Sequence, residues 1–269
     1  MHGPARVTAS RAIKQIDRTG MFILCTNDDG YLAPGIGILA GAARTLGDVH
    51  VVAPDREQSA TSHSLTMHFP LRARKVRDGV HHVDGTPTDC VALAVGALLE
   101  RKPDLVVSGI NHGPNMGEDV LYSGTVAGAM EATILGIPAI AVSYAGRESE
   151  HMAGYGPLLE KLLPQMVRSG AFPRETLLNV NLPPIDASQV KGVRVTRLAR
   201  RVYIDSLTKA VDPSGKPYFW IGGGEVEWNA PEGTDFHAIN TGHVSVTPLH
   251  LDLTNHALLA DVAAWDLRV

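Results

Sequence analysis

The sequence predicts an α/β fold: a doubly wound, mainly parallel, Rossmann-like sheet with a C-terminal antiparallel β-hairpin extension and a terminal helix. Three observations carry this expectation. Short runs of Ala, Val, Leu and Ile recur between Gly and Pro residues, several of them apolar throughout, as when helices cover both faces of a strand. Up to about Pro183 these runs alternate with stretches of helical periodicity, which implies parallel strands joined by right-handed crossovers. Beyond Pro183 the texture changes to alternating apolar and polar residues, the pattern of antiparallel strands with one solvated face.

In chain order, residues 1–20 (MHGPARVTASRAIKQIDRTG) are basic and lack the apolar h-region of a secretory signal, so they are an unassigned extension. Residues 21–183 form the expected α/β catalytic core. Its first strand is Met21–Cys25. Its first helix is Pro34–Leu46, with Ile36, Leu39, Ala40, Ala43 and Leu46 at helical spacing. The strands Val49–Ala53, Leu105–Ser108, Ala139–Ser143 and Leu177–Asn181 are the remaining apolar runs, and Thr88–Glu100, Val126–Leu135 and Gly156–Ser169 are the helices between them. Residues 184–269 are the β-rich extension, with hairpin segments such as "KPYFWIGGGEVEW". A short terminal helix is expected in "TNHALLADVAAWDLRV", capped by Thr254 or Asn255, with Leu258, Leu259, Val262 and Trp265 as its apolar stripe.

A chain of 269 residues, 44% hydrophobic, has ample material for a packed core. A net charge of −4 supplies no global basic field for a nucleic-acid duplex, so a phosphate substrate would need positive charge supplied locally. No apolar run approaches the ~18 residues of a membrane span. Two cysteines, Cys25 in an apolar strand and Cys90 in a helix, lack any CxxC or zinc spacing and read as buried thiols in a reducing, cytoplasmic compartment.

Ligands of open parallel sheets bind beyond the carboxyl ends of the strands. Three polar segments follow strands here: Asn27-Asp28-Asp29-Gly30, Pro54–Ser64 (PDREQSATSHS) and Ser108–Gly128 (SGINHGPNMGEDVLYSGTVAG). Asp28 and Asp29 have two readings. One is a helix cap with an acidic first turn. The other is a hard-cation site for Mg²⁺ or Mn²⁺, which removes the repulsion between the carboxylates, with neutral oxygens of Ser59 and Asn111 completing the protein's share. Ser123, Gly124 and Thr125 likewise read either as an ordinary cap or as a phosphate cradle, in which backbone N–H groups at a helix start meet an anion and Gly124 permits close approach.

Other patterns are weaker. Gly35-x-Gly37-x-x-x-Gly41 lacks the dinucleotide spacing, and there is neither a P-loop nor a GxSxG elbow. His81-His82 is expected in a solvated hairpin. His250, Asp252 and His256 suggest polar hairpin contacts more than a second metal site. The basic segments 72–77 and 194–201 are expected as solvated strand faces able to attract polyanions.

Taken together, the blocks "ILCTNDDGYLAPGI", "VVAPDREQSATSHSLT", "GTPTDCV", "PDLVVSGINHGPNMGEDVLYSGTVAGAMEA", "GIPAIAVS" and "GTDFHAINTGHVSVTPLHLDLT" resemble the stationary-phase survival protein family, the SurE-type 5′/3′-nucleotidases, from Met21 to Thr254. The resemblance implies a metal-dependent phosphomonoesterase acting on nucleoside 5′- and 3′-monophosphates, with polyphosphate a further substrate in the family. It implies one divalent cation per subunit on Asp28, Asp29, Ser59 and Asn111. It also places Asn115, Ser123, Gly124 and Thr125 in the site, with Asn111 and Asn115 among the phosphate-binding residues and Asp28, Asn115, Ser123 and Thr125 as catalytic. Homodimers or homotetramers formed by C-terminal exchange are implied as well. A phosphatase for another phosphomonoester, or a non-catalytic nucleotide sensor, are the alternatives; the sensor leaves the paired carboxylates unexplained.

Overall fold

The computed structural model describes residues 20–146, 148–168, 172–173, 175–203, 207–221 and 226–268. The 1–20 extension except Gly20, and the expected helix end at Ser169, lie outside the described residues. The elements are β1 (Met21–Thr26), α1 (Pro34–Ala43), β2 (Gly47–Pro54), β3 (Ala73–Arg77), β4 (Val80–Val83), α2 (Pro87–Leu93), β5 (Leu105–His112), α3 (Gly124–Ile134), β6 (Ala139–Tyr144), α4 (Gly156–Arg168), β7 (Thr176–Leu182), β8 (Val193–Val195), β9 (Arg200–Tyr203), β10 (Leu207–Val211), β11 (Pro217–Ile221), β12 (Val226–Asn229), α5 (Asp235–Asn240), β13 (Val244–His250) and α6 (Leu259–Ala263).

The main sheet has nine strands in the order β3-β4-β2-β1-β5-β6-β7-β13-β8. The run from β4 to β7 is parallel throughout. β3 and β13 add antiparallel strands, and β8 lies parallel to β13. The fold is therefore the mixed α/β architecture expected, with an extension that divides. β8 and β13 enlarge the main sheet, whereas β9–β12 and β10–β11 form two small antiparallel ladders.

Burial explains the unbroken apolar strands. Every residue of β1 is buried: Ile23 and Cys25 face the core beneath α1 and α4, and Leu24 faces the core beneath α2 and α3. Both cysteines are free and buried, and burial pushes the Cys25 thiol up to about 12. α2 begins with a capping box: Thr86 Oγ1 accepts from the Asp89 N–H at 3.1 Å, and Asp89 Oδ2 accepts from the Thr86 N–H at 2.9 Å. The helix expected to run to Glu100 gives way to a π-helical turn at Ala94–Leu98.

Two expectations are corrected. His81 and His82 lie in the β3–β4 hairpin but are half-buried; His82 is covered by Tyr31, on which it stacks with ring centroids 4.9 Å apart. Neither Thr254 nor Asn255 caps the terminal helix; α6 starts after Leu258 without a side-chain cap, and Leu258, Leu259 and Trp265 face solvent.

Candidate functional site

The crossover from β1 leads to β2 on one side, and β5 pairs with β1 on the other. The order in which strands are added to the sheet reverses between the parallel neighbours β1 and β5, a switch point that opens a crevice at their carboxyl ends. Asp28 and Asp29 leave the tip of β1 into it. The Asn27 Nδ2–H donates to the Gly30 carbonyl at 2.8 Å, and Gly30 adopts φ +95°, closing the turn.

Asp28 is only 3% exposed. Its Oδ1 accepts a hydrogen bond from the Thr125 hydroxyl, and its carbonyl accepts from the Gln58 N–H at 2.7 Å. Burial pushes the Asp28 carboxyl up to about 6; the Asp29 charge adds to this, while hydrogen bonds from the Thr125 hydroxyl and backbone oppose it. Asp29 Oδ2 accepts from the His112 N–H at 3.0 Å. Burial raises its carboxyl too, against that hydrogen bond, and the Glu57 charge contributes a smaller push in the same direction.

The start of α3 closes over Asp28. Ser123 Oγ accepts from the Val126 N–H at 3.0 Å and is the cap, so the helix begins at Gly124 rather than at Val126. A methyl group on Gly124 would stand 2.8 Å from Asp28 Cβ, 2.9 Å from Asp28 Oδ2 and 3.1 Å from Thr61 Oγ1. Only glycine fits between the carboxylate and the helix, and Thr61 joins the same contact.

The loop after β2 carries Ser59 and is held by several anchors. Ser62 bonds the carbonyls of Tyr122 and Leu121 through its N–H at 3.1 Å and its hydroxyl at 2.7 Å, and His63 Nε2 pairs with Glu131 Oε2 on α3 at 2.9 Å. Ala60 and Ser62 sit at φ +57° and +55°, conformations that cost non-glycine residues about 1 kcal/mol or more each. Ser59 itself is exposed, and its hydroxyl donates to Glu57 Oε1 at 2.6 Å, leaving lone pairs on the oxygen.

On β5, the register against β6 shifts between Gly109 and Asn111, a bulge that turns the strand end. Asn111 Nδ2 donates to the Gly113 carbonyl at 2.8 Å, which fixes the orientation of the amide. Asn115 is buried in an amide lattice. Its Nδ2 donates to Ser143 Oγ at 2.8 Å, its N–H donates to Asn181 Oδ1 at 3.0 Å, and its carbonyl accepts from Asn179 and Asn181. Asn115 therefore anchors the loop in this geometry. Gly117 is held in turn by Asp235, whose carboxylate also accepts from the N–H groups of Ala199 and Phe236.

Of the residues expected in the site, Asp28, Gly124 and Thr125 are in mutual contact, and Ser123 caps the turn they share. Asp29 is joined to the end of β5, where Asn111 lies. Ser59 is next to Gln58, the contact to Asp28, with its hydroxyl turned to Glu57. Asn115 is turned to Ser143. Sequence reasoning passed over Thr61, Ser143, Asn179, Asn181 and Asp235. The polar pair Asn179 and Asn181, on one face of an otherwise apolar strand, is the signal that marks a buried polar lattice.

The donor set fits a hard cation. Among the described residues no three His, Cys, Asp or Glu side chains gather around a metal-sized space. Two carboxylates of which one is buried and charge-strained, with amide and hydroxyl oxygens on neighbouring loops, are the donors that Mg²⁺ or Mn²⁺ prefers.

The family model described as survival protein SurE matches residues 23–205. The 5′-nucleotidase SurE of Gemmatimonas aurantiaca is 56% identical over 248 residues, covering 91% of this chain and 98% of that protein. That of Geobacter sulfurreducens is 51% identical over 249 residues, covering 92% and 94%. The crystal structure of the Sure protein from Aquifex aeolicus superposes with a TM-score of 0.79 at 47% identity, covering 90% of this chain and 98% of that one.

Proposed function

The chain belongs to the survival protein SurE family, and from that premise we propose that it is a metal-dependent phosphomonoesterase hydrolysing nucleoside 5′-monophosphates to nucleoside and phosphate. The 3′-monophosphates and short polyphosphate present the same terminal phosphoryl group and belong to the proposal. The observation that carries it is the buried Asp28, set beside Asp29 at the β1–β5 switch point and packed against the Gly124–Thr125 turn.

Asp28, Asp29, Ser59 and Asn111 would hold one divalent cation, Mg²⁺ or Mn²⁺. When bound, such an ion neutralises the carboxylate pair and polarises the phosphoryl oxygens. The Ser123–Thr125 turn directs the N-terminus of the eleven-residue α3 at the non-bridging oxygens, supplying the positive potential that the net charge of −4 does not. Carboxylate oxygens not engaged by Thr125 and His112 orient a water in line with the ester bond. As its oxygen bonds to phosphorus, the water releases a proton to solvent, the ester P–O bond breaks, and the leaving alkoxide takes a proton from solvent. Asn115, Asn179, Asn181 and Ser143 hold the loop in position.

Residues 21–183 carry these groups, and 184–269 supply the extension proposed to be exchanged in a homodimer or homotetramer. The exposed Phe219, Trp220 and Ile221 of β11 and the exposed stripe of α6 support exchange, since they are apolar surfaces left unburied in one chain. Among the described residues no helix is long and apolar enough to cross a membrane. The two buried free thiols fit a cytoplasmic compartment.

The test is phosphate release from a panel of 5′- and 3′-monophosphates and tripolyphosphate, with Mn²⁺, Mg²⁺ or EDTA. Expected is turnover with either metal and loss in EDTA, restored by Mn²⁺. Full activity in EDTA, or undiminished turnover by Asp29→Asn, refutes the metal site; nucleotide binding without hydrolysis identifies a sensor.

A further inference from the structure

At the far edge of the main sheet, four strands beyond β5, a cavity of about 350 Å³ lies between β8 and α5. That volume is in the range of small-molecule sites, roughly 300–1,000 Å³. Its walls carry Lys191, Arg194, His237 and His243, with one carboxylate, Glu232. Among the described residues neither Lys191 nor Arg194 forms an ion pair. Two lining residues are themselves held from outside the cavity: Arg197 Nη1 donates to the Glu232 carbonyl at 3.0 Å and lies 2.8 Å from the position a methyl group on Gly233 would take. The back wall is fixed. Thr196 is 7% exposed, and its hydroxyl is shared with Ser245 at 2.8 Å and Thr247 at 2.7 Å.

Basic residues on a strand face are ordinarily splayed into solvent, where each is hydrated alone. Here Lys191 and Arg194, though exposed, line the same concave volume, and cations gathered around one concavity are what a multiply charged oxyanion requires. Arg offers a planar pair of donors to phosphate and Lys a point charge. Two imidazoles add donors when protonated. The cavity shares no residue with the β1–β5 crevice.

We propose that this cavity is a second anion site, which takes a small phosphorylated molecule through Lys191 and Arg194. The proposal stands whether or not the crevice hydrolyses nucleotides.

Calorimetric titration of the full chain in EDTA with inorganic phosphate, and separately with AMP, tests it. Expected in the wild type is a binding event that the Lys191→Ala/Arg194→Ala double variant weakens at least tenfold. The control variant Arg74→Ala/Arg77→Ala removes two exposed charges from β3 and keeps that event. Any second event, at the metal-free crevice, is the same in all three proteins. Tighter binding of AMP than of phosphate to the affected site identifies a nucleotide as its occupant, and equal binding identifies free phosphate; both uphold the site. No binding by the wild type, no event weakened in the Lys191/Arg194 variant, or equal loss in the β3 control overturns it. Circular dichroism of each variant confirms folding, and turnover of the double variant is expected at the wild-type rate. Absence of turnover in the wild type would refute the hydrolase and leave the titration result standing.

Discussion

Asp28→Asn is expected to abolish activity and to stabilise the metal-free chain above pH 6. The carboxyl of Asp28 is raised from 3.8 to about 6, with burial as the leading cause. The folded state therefore binds the proton more tightly than the unfolded state does. The sign follows: stability is fully present below the unfolded value and is lost as pH rises through the folded value. Just over two pH units at about 1.4 kcal/mol each gives a loss of about 3 kcal/mol, complete near pH 7. Asn does not titrate, and its amide oxygen can still accept from Thr125. The difference in unfolding free energy between variant and wild type, measured by urea denaturation in EDTA, should grow by about 3 kcal/mol in favour of the variant between pH 3.5 and pH 7. A fixed offset from the unpaired amide N–H groups does not alter that growth. Mn²⁺ at roughly a hundred times its dissociation constant should then stabilise the wild type by about 2.7 kcal/mol and the variant much less. A difference that stays flat with pH refutes the buried ionised carboxylate. Equal stabilisation of both proteins by Mn²⁺ refutes Asp28 as a ligand.

Gly124→Ala should lower kcat by about a hundredfold while leaving the far-ultraviolet spectrum unchanged, because the added methyl group displaces a carboxylate placed to within an ångström. Asp235→Ala should cost about 3 kcal/mol or more, since three backbone N–H groups lose their acceptor; thermal denaturation should shift down by roughly 6–12 °C, and an unshifted midpoint would contradict the anchor. Trp220→Asp should reduce the mass measured by light scattering, because Trp220 is 65% exposed on the projecting β10–β11 hairpin.

The parallel core was legible because its strands are buried on both faces. Ile23, Leu24 and Cys25 in succession leave no solvated side, and period and chain order then fix the crossovers. Asp28 and Asp29 were legible because adjacent carboxylates at a strand end have few packing roles. What escaped were choices decided by distant partners. The hydroxyl of Thr125 was open to capping α3, but Asp28 claims it and Ser123 caps instead. The alternating residues of β13 suit any antiparallel edge, and nothing local says that the edge is β7. His82 has a polar neighbourhood in sequence, yet Tyr31 covers it. Asn179 and Asn181 were visible only as strand residues, since the backbone they hold, at Asn115, belongs to another loop.

The bond from Asp235 to Gly117 spans 118 residues. Every candidate ligand has been synthesised by the time the ribosome reaches Asn111, but the loop beyond β5, already held at Asn115 by Asn179 and Asn181, gains its last anchor, at Gly117, only after α5 emerges. The nascent chain would thus carry all four proposed ligands for more than a hundred codons before that last anchor forms. On this reading, activity would appear only once Asp235 has been made, well after the segment that bears the chemistry. Chains ending at Pro183 and at Val269, compared for phosphate release, give the check: the shorter should be inactive although it retains Asp28, Asp29, Ser59 and Asn111.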